Sequence, residues 1–195
     1  MNESDLYIKE LTEKLENIED KELLILIKRL IEERNYLSEI VNIDALTGLN
    51  NKRILQHIRE YSSVVMCDID NFKNINDTLG HDTGDLVIKN IAKILKESTR
   101  SKDYICRFGG DEFLIAFVDC SDEIVYKRIQ EIREKVTKNV KFSSFGDITM
   151  SFGISSSKNE PLDVLIKEAD IALYESKNLG KNRITKYEKE KVKTK

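Results

Sequence analysis

The sequence has no long apolar run: nothing in its 195 residues approaches the roughly 18 consecutive apolar residues of a membrane span. Its start, Met1-Asn2-Glu3-Ser4-Asp5, lacks the basic region of a signal peptide, so the expected location is the cytoplasm. Cysteine is scarce, and Cys67, Cys106 and Cys120 form no CxxC pair, which excludes a zinc knuckle and a disulfide framework. Each lies in an apolar run and reads as a buried free thiol. An excess of positive charge is also missing. Lys and Arg number 32 against 35 Asp and Glu, a net charge of -3, which is not the footprint of a nucleic-acid binder but leaves a small anionic ligand open. There are only two histidines. His57 reads as a surface residue and His81 as part of a turn, and neither is assigned a catalytic role. What is present is 40% hydrophobic residues, enough for one core, and 34% charged residues, which make a well-solvated surface, so one domain of about 150 residues plus an extension is expected.

Residues 1–43 contain neither glycine nor proline, and Ile8, Leu11, Leu15 and Ile18 fall on one helical stripe. Leu23, Leu26, Leu30, Leu37 and Ile40 continue it after a phase shift near Asn17-Ile18-Glu19-Asp20, which is either a skip within one long helix or a turn between two. Such a stripe pairs most simply with the same helix of a second chain, the alternative being packing on its own domain. Gly48 is the first glycine and sets a boundary near residue 44, so the expected division is a helical segment at 1–43, a domain at 44–187 and a frayed lysine-rich tail at 188–195.

Within the domain, Ser63 to Ile69 reads as a buried strand, and Asp82 to Thr99 as a helix with Ile88, Ile91, Ala92 and Leu95 inward. Tyr104 to Phe108 and Glu112 to Val118 flank Gly109-Gly110-Asp111 and read as a β-hairpin. A helix carrying Val125, Ile129, Ile132 and Val136 follows, then a strand from Ile148 to Ile154 and a helix opened by Pro161. A short strand around Arg183 to Tyr187 ends the domain. This order predicts an α+β fold, a mainly antiparallel sheet flanked by helices and preceded by an amino-terminal helical extension.

Two segments place acids at the ends of apolar strands, where a carboxylate is costly unless it binds something. They are Val64-Val65-Met66-Cys67-Asp68-Ile69-Asp70 and Gly109-Gly110-Asp111-Glu112-Phe113. If the two strands are neighbours, Asp68, Asp111 and Glu112 converge, and an oxygen-only donor set without histidine favours a magnesium ion shared between them. Taken singly, each segment reads equally well as a solvated turn.

Gly109 to Phe113 spell GGDEF, and here the chain resembles the GGDEF domains, the diguanylate cyclases. Further motifs carry the resemblance in order: Asp44-Ala45-Leu46-Thr47-Gly48-Leu49, Asp68 to Asp77, Gly80 to Asp85, and Ala169-Asp170 with Tyr174, Lys177, Gly180, Lys181 and Asn182. Asn50 and Lys181 depart from it, standing where Pro or His and where Arg are frequent.

The resemblance implies a palm-like fold of the nucleotidyl cyclase type that condenses two GTP into cyclic di-GMP and releases two pyrophosphates. It implies magnesium, with manganese as an alternative, held by Asp68, the Ile69 carbonyl and Asp111 with Glu112 assisting, and makes Asp68, Asp111 and Glu112 the catalytic set. Asn71, Phe72 and Lys73 would offer helix-start amides to the terminal phosphates, and Lys177 and Lys181 two ammonium groups. Asn76 and Asp85 resemble the guanine contacts, with Leu46 and Ile88 as apolar walls. A carboxylate accepts from the N–H edge of guanine, which adenine lacks. Arg100 and Asp103, nine and six residues before Gly109, resemble the family's inhibitory site for cyclic di-GMP.

Each assignment has a structural alternative: a solvated helix end for the lysines, helix capping for Asn76 and Asp85, an exposed ion pair for Arg100 and Asp103. Against the enzyme stand a domain that binds GTP or cyclic di-GMP without turnover and a dimerisation adaptor. Intact Asp68, Asp111 and Glu112 speak against the first. The expected partners are GTP, cyclic di-GMP and a second copy of the chain joined through the amino-terminal helix, with no nucleic acid and no membrane span.

Overall fold

The computed structural model of the chain describes residues 21–142, 145–157 and 159–189. The chain divides between Ile43 and Asp44 into two compact units. The first contributes helix α1 (Lys21–Val41), on which Leu23, Leu26 and Leu30 are exposed. Ile8, Leu11, Leu15, Ile18 and the phase shift of the stripe lie outside the described residues.

The second unit is built on a sheet of six strands: β1 (Asn50–Asn51), β2 (Ser63–Ile69), β3 (Tyr104–Arg107), β4 (Glu112–Phe117), β7 (Met150–Ser156) and β8 (Ile184–Lys186). Their order is β1-β3-β4-β2-β7-β8. The three inner pairings are antiparallel, as expected from the hairpin, whereas the edge strands β1 and β8 pair in parallel with β3 and β7. A separate small hairpin joins β5 (Lys141–Phe142) to β6 (Gly146–Asp147). Helices α2 (Phe72–Leu79), α3 (His81–Ser98), α4 (Asp122–Asn139) and α5 (Leu162–Asn178) and a 3-10 helix (Lys52–His57) complete the unit.

Helices cover both faces of the sheet, so β2 is buried along its whole length and reads as a continuous apolar run. The side-chain period of two then sorts it. Val65, Cys67 and Ile69 join a core with Ile75, Val87, Ile91 and Ile129, on the side of α2, α3 and α4. Val64 and Met66 face the other way, with Leu114 and Ala116 of β4 and with Leu165, Ala169 and Leu173 of α5. Close approach of α5 depends on Gly153 of β7, because a Cβ there would fall onto the Ala169 carbonyl and the Leu173 amide. The three cysteines are free and buried. Burial pushes the Cys106 thiol up to about 12, and that of Cys67 well above its usual value.

Candidate active site

Two apolar stripes end in charge at the same place. Along β2 the α5-facing positions run Val64, Met66, Asp68, and along β4 they run from Ala116 and Leu114 to Glu112, which stands directly opposite Asp68. The inward stripe of α5 has a spacing of four, Leu165, Ala169, Leu173, and the next position in it is Lys177. Its Nζ lies 2.7 Å from Asp68 Oδ2. Burial pushes the Asp68 carboxyl up to about 6. Lys177 opposes that rise through its hydrogen bond and its charge, while the charges of Asp111 and Glu112 add to it.

The turn between β3 and β4 brings Asp111 to this point. The Ile69 amide donates to the Asp111 carbonyl at 3.3 Å, and the Phe108 and Gly109 amides donate to the Glu112 carbonyl at 2.8 and 3.2 Å. A Cβ at Gly109 would meet the Glu112 carboxylate, so glycine there gives that side chain its room. Arg107, a residue the sequence reading passed over, fastens the turn. Its Nη2 and Nε donate to the Gly110 carbonyl at 2.7 and 3.0 Å, while its Nη1 reaches Asp44 Oδ2 at 3.3 Å. The Asp44 carboxyl also accepts the Thr47 amide and hydroxyl at 2.9 and 2.7 Å. Although burial raises it, the bonds from Thr47 and the Arg107 charge hold this carboxyl below the usual range.

As placed, no three His, Cys, Asp or Glu side chains among the described residues form a metal-binding group. The donor chemistry nevertheless fits a divalent cation. Asp68 is a nearly buried carboxylate whose ionisation is opposed by burial and by two neighbouring acids, and its one close counter-charge is a lysine on a flexible stem.

At the end of β2, Asn71 has φ 58° and caps α2 without a side-chain bond to the helix. The first-turn amides of such a helix have no intrahelical partner. The Asn71 side-chain oxygen instead accepts the Lys181 ammonium, so Lys177 and Lys181 both come to this end of the sheet. Asp70, to which the sequence alone gives no role, is 5% exposed. It accepts the Thr149 and Ser151 hydroxyls at 2.6 Å each and the Asn182 amide at 3.0 Å.

Asn76 of α2 lies against the start of α3, where a Cβ at Gly84 would fall onto its side-chain amide and 3.2 Å from Phe72. Asp85 is exposed one residue further on. Leu46 and Ile88 belong to one core cluster, but Ile88 is only 2% exposed and offers a ligand almost no surface.

Arg100 and Asp103 are not an exposed pair. The Asp103 carboxylate is fully covered and takes four donors: the Arg100 Nε and amide on Oδ2 at 2.9 and 3.0 Å, and Arg100 Nη2 and the Val118 amide on Oδ1 at 2.6 and 3.2 Å. Burial pushes this carboxyl up, but the Arg100 side chain and the two amides outweigh it and hold it below the usual range.

Comparison with known proteins decides the family. The profile described as "Diguanylate cyclase, GGDEF domain" matches residues 41–183. The chain belongs to the GGDEF domain family. Its GGDEF domain is similar to diguanylate cyclase DosC of Escherichia coli K12, 35% identical over an alignment of 178 residues that covers 84% of this chain and 38% of that protein. Diguanylate cyclase A of Treponema denticola is 36% identical over an alignment of 167 residues that covers 76% of this chain and 45% of that protein. The chain therefore spans less than half the length of these curated relatives. Among solved structures, the coiled coil and GGDEF domain of DgcB from Caulobacter crescentus, in complex with c-di-GMP, superposes with a TM-score of 0.71 at 30% identity, covering 85% of this chain and 95% of that one. No described helix of the GGDEF protein is long and apolar enough to cross a membrane.

Proposed function

We propose that this GGDEF domain condenses two GTP molecules into cyclic di-GMP with release of two pyrophosphates. The observation that carries the reading is the junction of Asp68, Glu112 and Lys177, where three apolar stripes end in charges of both signs within a family of diguanylate cyclases. Burying charge in this way is costly for a purely structural purpose, and a cation with a triphosphate is the ligand such a set suits.

In this reading Asp68, the Ile69 carbonyl and Asp111 would hold magnesium, or manganese, with Glu112 beside them. When bound, the ion would lower the pKa of the nucleotide 3′-hydroxyl and offset the charge of the triphosphate. The protein's own groups do the rest. Lys177, freed from Asp68, and Lys181 bind the terminal phosphates together with the amides of Phe72 and Lys73 at the start of α2, beside the Asn71 cap. Asp85 accepts from the N–H edge of guanine, with Asn76 as a second polar contact, and so GTP is favoured over ATP. Asp111 is the candidate base for the attacking hydroxyl, although a carboxylate that holds a cation is a weak one, and the alternative is that the lowered pKa of the hydroxyl suffices without it.

One domain holds one nucleotide, and the product has two equivalent phosphodiester links, so two domains meet about a twofold axis. The exposed Leu23, Leu26 and Leu30 of α1 supply a seam for pairing two chains. Arg100 and Asp103 bind the product as an inhibitor. That binding requires Arg100 to release some of its internal partners, because the Asp103 oxygens are already taken by four donors.

Incubation of the full chain with GTP and magnesium, followed by chromatography, is the test. Cyclic di-GMP is expected from the native protein and none from Asp68→Ala. A folded sample that yields no cyclic di-GMP would defeat the enzyme reading.

A further inference from the structure

The turn that carries Lys181 is an unfavourable piece of backbone. Gly180, Lys181 and Asn182 have φ of 110°, 63° and 45° in succession, and only the first is a residue indifferent to that region. Such a conformation persists only where its surroundings impose it. Here the Asn182 backbone is gripped on both of its peptide groups. Its amide donates to Asp70 Oδ2 at 3.0 Å, and its carbonyl accepts Arg133 Nη1 of α4 at 2.8 Å. Asp70 is itself immobilised by the Thr149 and Ser151 hydroxyls.

Stability alone accounts poorly for this arrangement. Among the described residues, the buried side-chain nitrogen and oxygen atoms without a hydrogen-bond partner are Arg133 Nε and Asn182 Oδ1, both at this grip. Leaving such atoms unpaired is unfavourable. What the grip fixes is the path of the residue before it. Lys181, whose own amide donates to the Ser176 carbonyl at 3.1 Å, is aimed so that its ammonium meets the Asn71 oxygen at the start of α2.

We infer that Asp70 and Arg133 are positioning residues that hold Lys181 where the terminal phosphates of GTP bind, an inference that rests on the phosphate role given to Lys181 above. Neither touches the nucleotide. Both act through the Asn182 backbone, so their removal costs phosphate affinity, and removal of Arg133, which lies away from the proposed metal ligands, leaves the chemical step alone.

The test uses the full chain and compares Lys181→Ala, Arg133→Met, Asp70→Ala and Asp70→Asn with the double variant Arg133→Met/Lys181→Ala. The readouts are KM and kcat for GTP and competition by inorganic tripolyphosphate. Arg133→Met is expected to raise KM about five- to tenfold, to weaken tripolyphosphate competition in the same ratio and to leave kcat within about twofold. The same substitution is expected to add nothing in the Lys181→Ala background. Asp70→Asn keeps an oxygen for the Asn182 amide and a donor for Ser151, so it recovers most of what Asp70→Ala loses. If Asp70→Ala does not fold, Arg133→Met and Asp70→Asn still carry the test. Should Lys181→Ala weaken phosphate binding while Arg133→Met does not, or should the two effects simply add, the positioning role is overturned and the phosphate reading stands. If Lys181→Ala leaves KM and tripolyphosphate competition unchanged, the phosphate role fails and the positioning role fails with it.

Discussion

Replacing Arg100 with alanine tests the structure where it departs most from a surface ion pair. The substitution removes the Nε and Nη2 bonds to Asp103 at 2.9 and 2.6 Å and the Nη2 bonds to the Val118 carbonyl and Cys120 Sγ at 2.8 and 2.9 Å. Stripping the partner from a fully buried charge costs about 3–5 kcal/mol. Here the cost is smaller. The Arg100 and Val118 amides still donate to Asp103, Arg128 stands 3.9 Å away, and the Arg100 side chain is 29% exposed, so water enters in its place. The expected loss is about 2 kcal/mol at neutral pH, a fall in Tm of roughly 4–8 °C. The loss also has a pH signature. In the native protein the Asp103 carboxyl is held below its ordinary 3.8, so its contribution is complete above that pH and disappears as pH falls through the lower folded value. Urea unfolding of native protein and Arg100→Ala at pH 7 and again in the acid range reads both features. The difference in stability is expected at pH 7 and should shrink below pH 3.8. A difference under about 0.5 kcal/mol at pH 7 would place Arg100 among ordinary surface pairs and refute the reasoning.

The same Arg100→Ala protein is expected to keep cyclase activity but lose inhibition by added cyclic di-GMP. Progress curves with and without a phosphodiesterase measure this, and equal inhibition in both proteins would remove the inhibitory assignment. In chelator, native protein should lose stability relative to Asp68→Asn as pH rises from about 4 to about 6, because folding raises this carboxyl from 3.8 to about 6 and the folded state then holds a proton that the unfolded chain has released. A flat or rising difference in thermal melts across that window contradicts the burial of Asp68. Asp85→Ala is expected to raise KM for GTP and to erode discrimination against ATP by about tenfold, read from mixed-nucleotide product analysis. An unchanged preference would leave Asp85 as a helix-start residue only. Truncation to residues 44–195 should give a folded monomer whose specific activity climbs with protein concentration, whereas the full chain stays nearly constant on dilution. Light scattering and a dilution series decide it, and a full-length monomer with undiminished activity would refute pairing through α1.

The amino-acid sequence alone determined the longer elements, because their cause is local, but not the 3-10 helix or the small β5–β6 hairpin. The apolar run of β2 announced a buried strand, Pro161 announced the start of α5, and the glycine pair announced the hairpin. It also pointed to Asp68, Asp111 and Glu112 as a set, since acids at the ends of apolar strands are costly without a partner, but only on the condition that the two strands are neighbours, which the β2–β4 pairing meets. It did not reach the two-residue strand β1 or the parallel pairing of β8, which are too short for a periodic pattern and are fixed by the neighbours they join. Nor did it reach the roles of Arg107, Arg133, Thr149 and Ser151. Their partners lie 63, 49, 79 and 81 residues away in the chain, at Asp44, Asn182 and Asp70, and nothing in the local sequence distinguishes them from surface or strand residues. Tertiary structure alone decided that Arg100 turns inward to Asp103 and that Lys177 closes on Asp68, because a long flexible cation takes its place from whichever buried carboxylate the packed helices and strands leave within its reach.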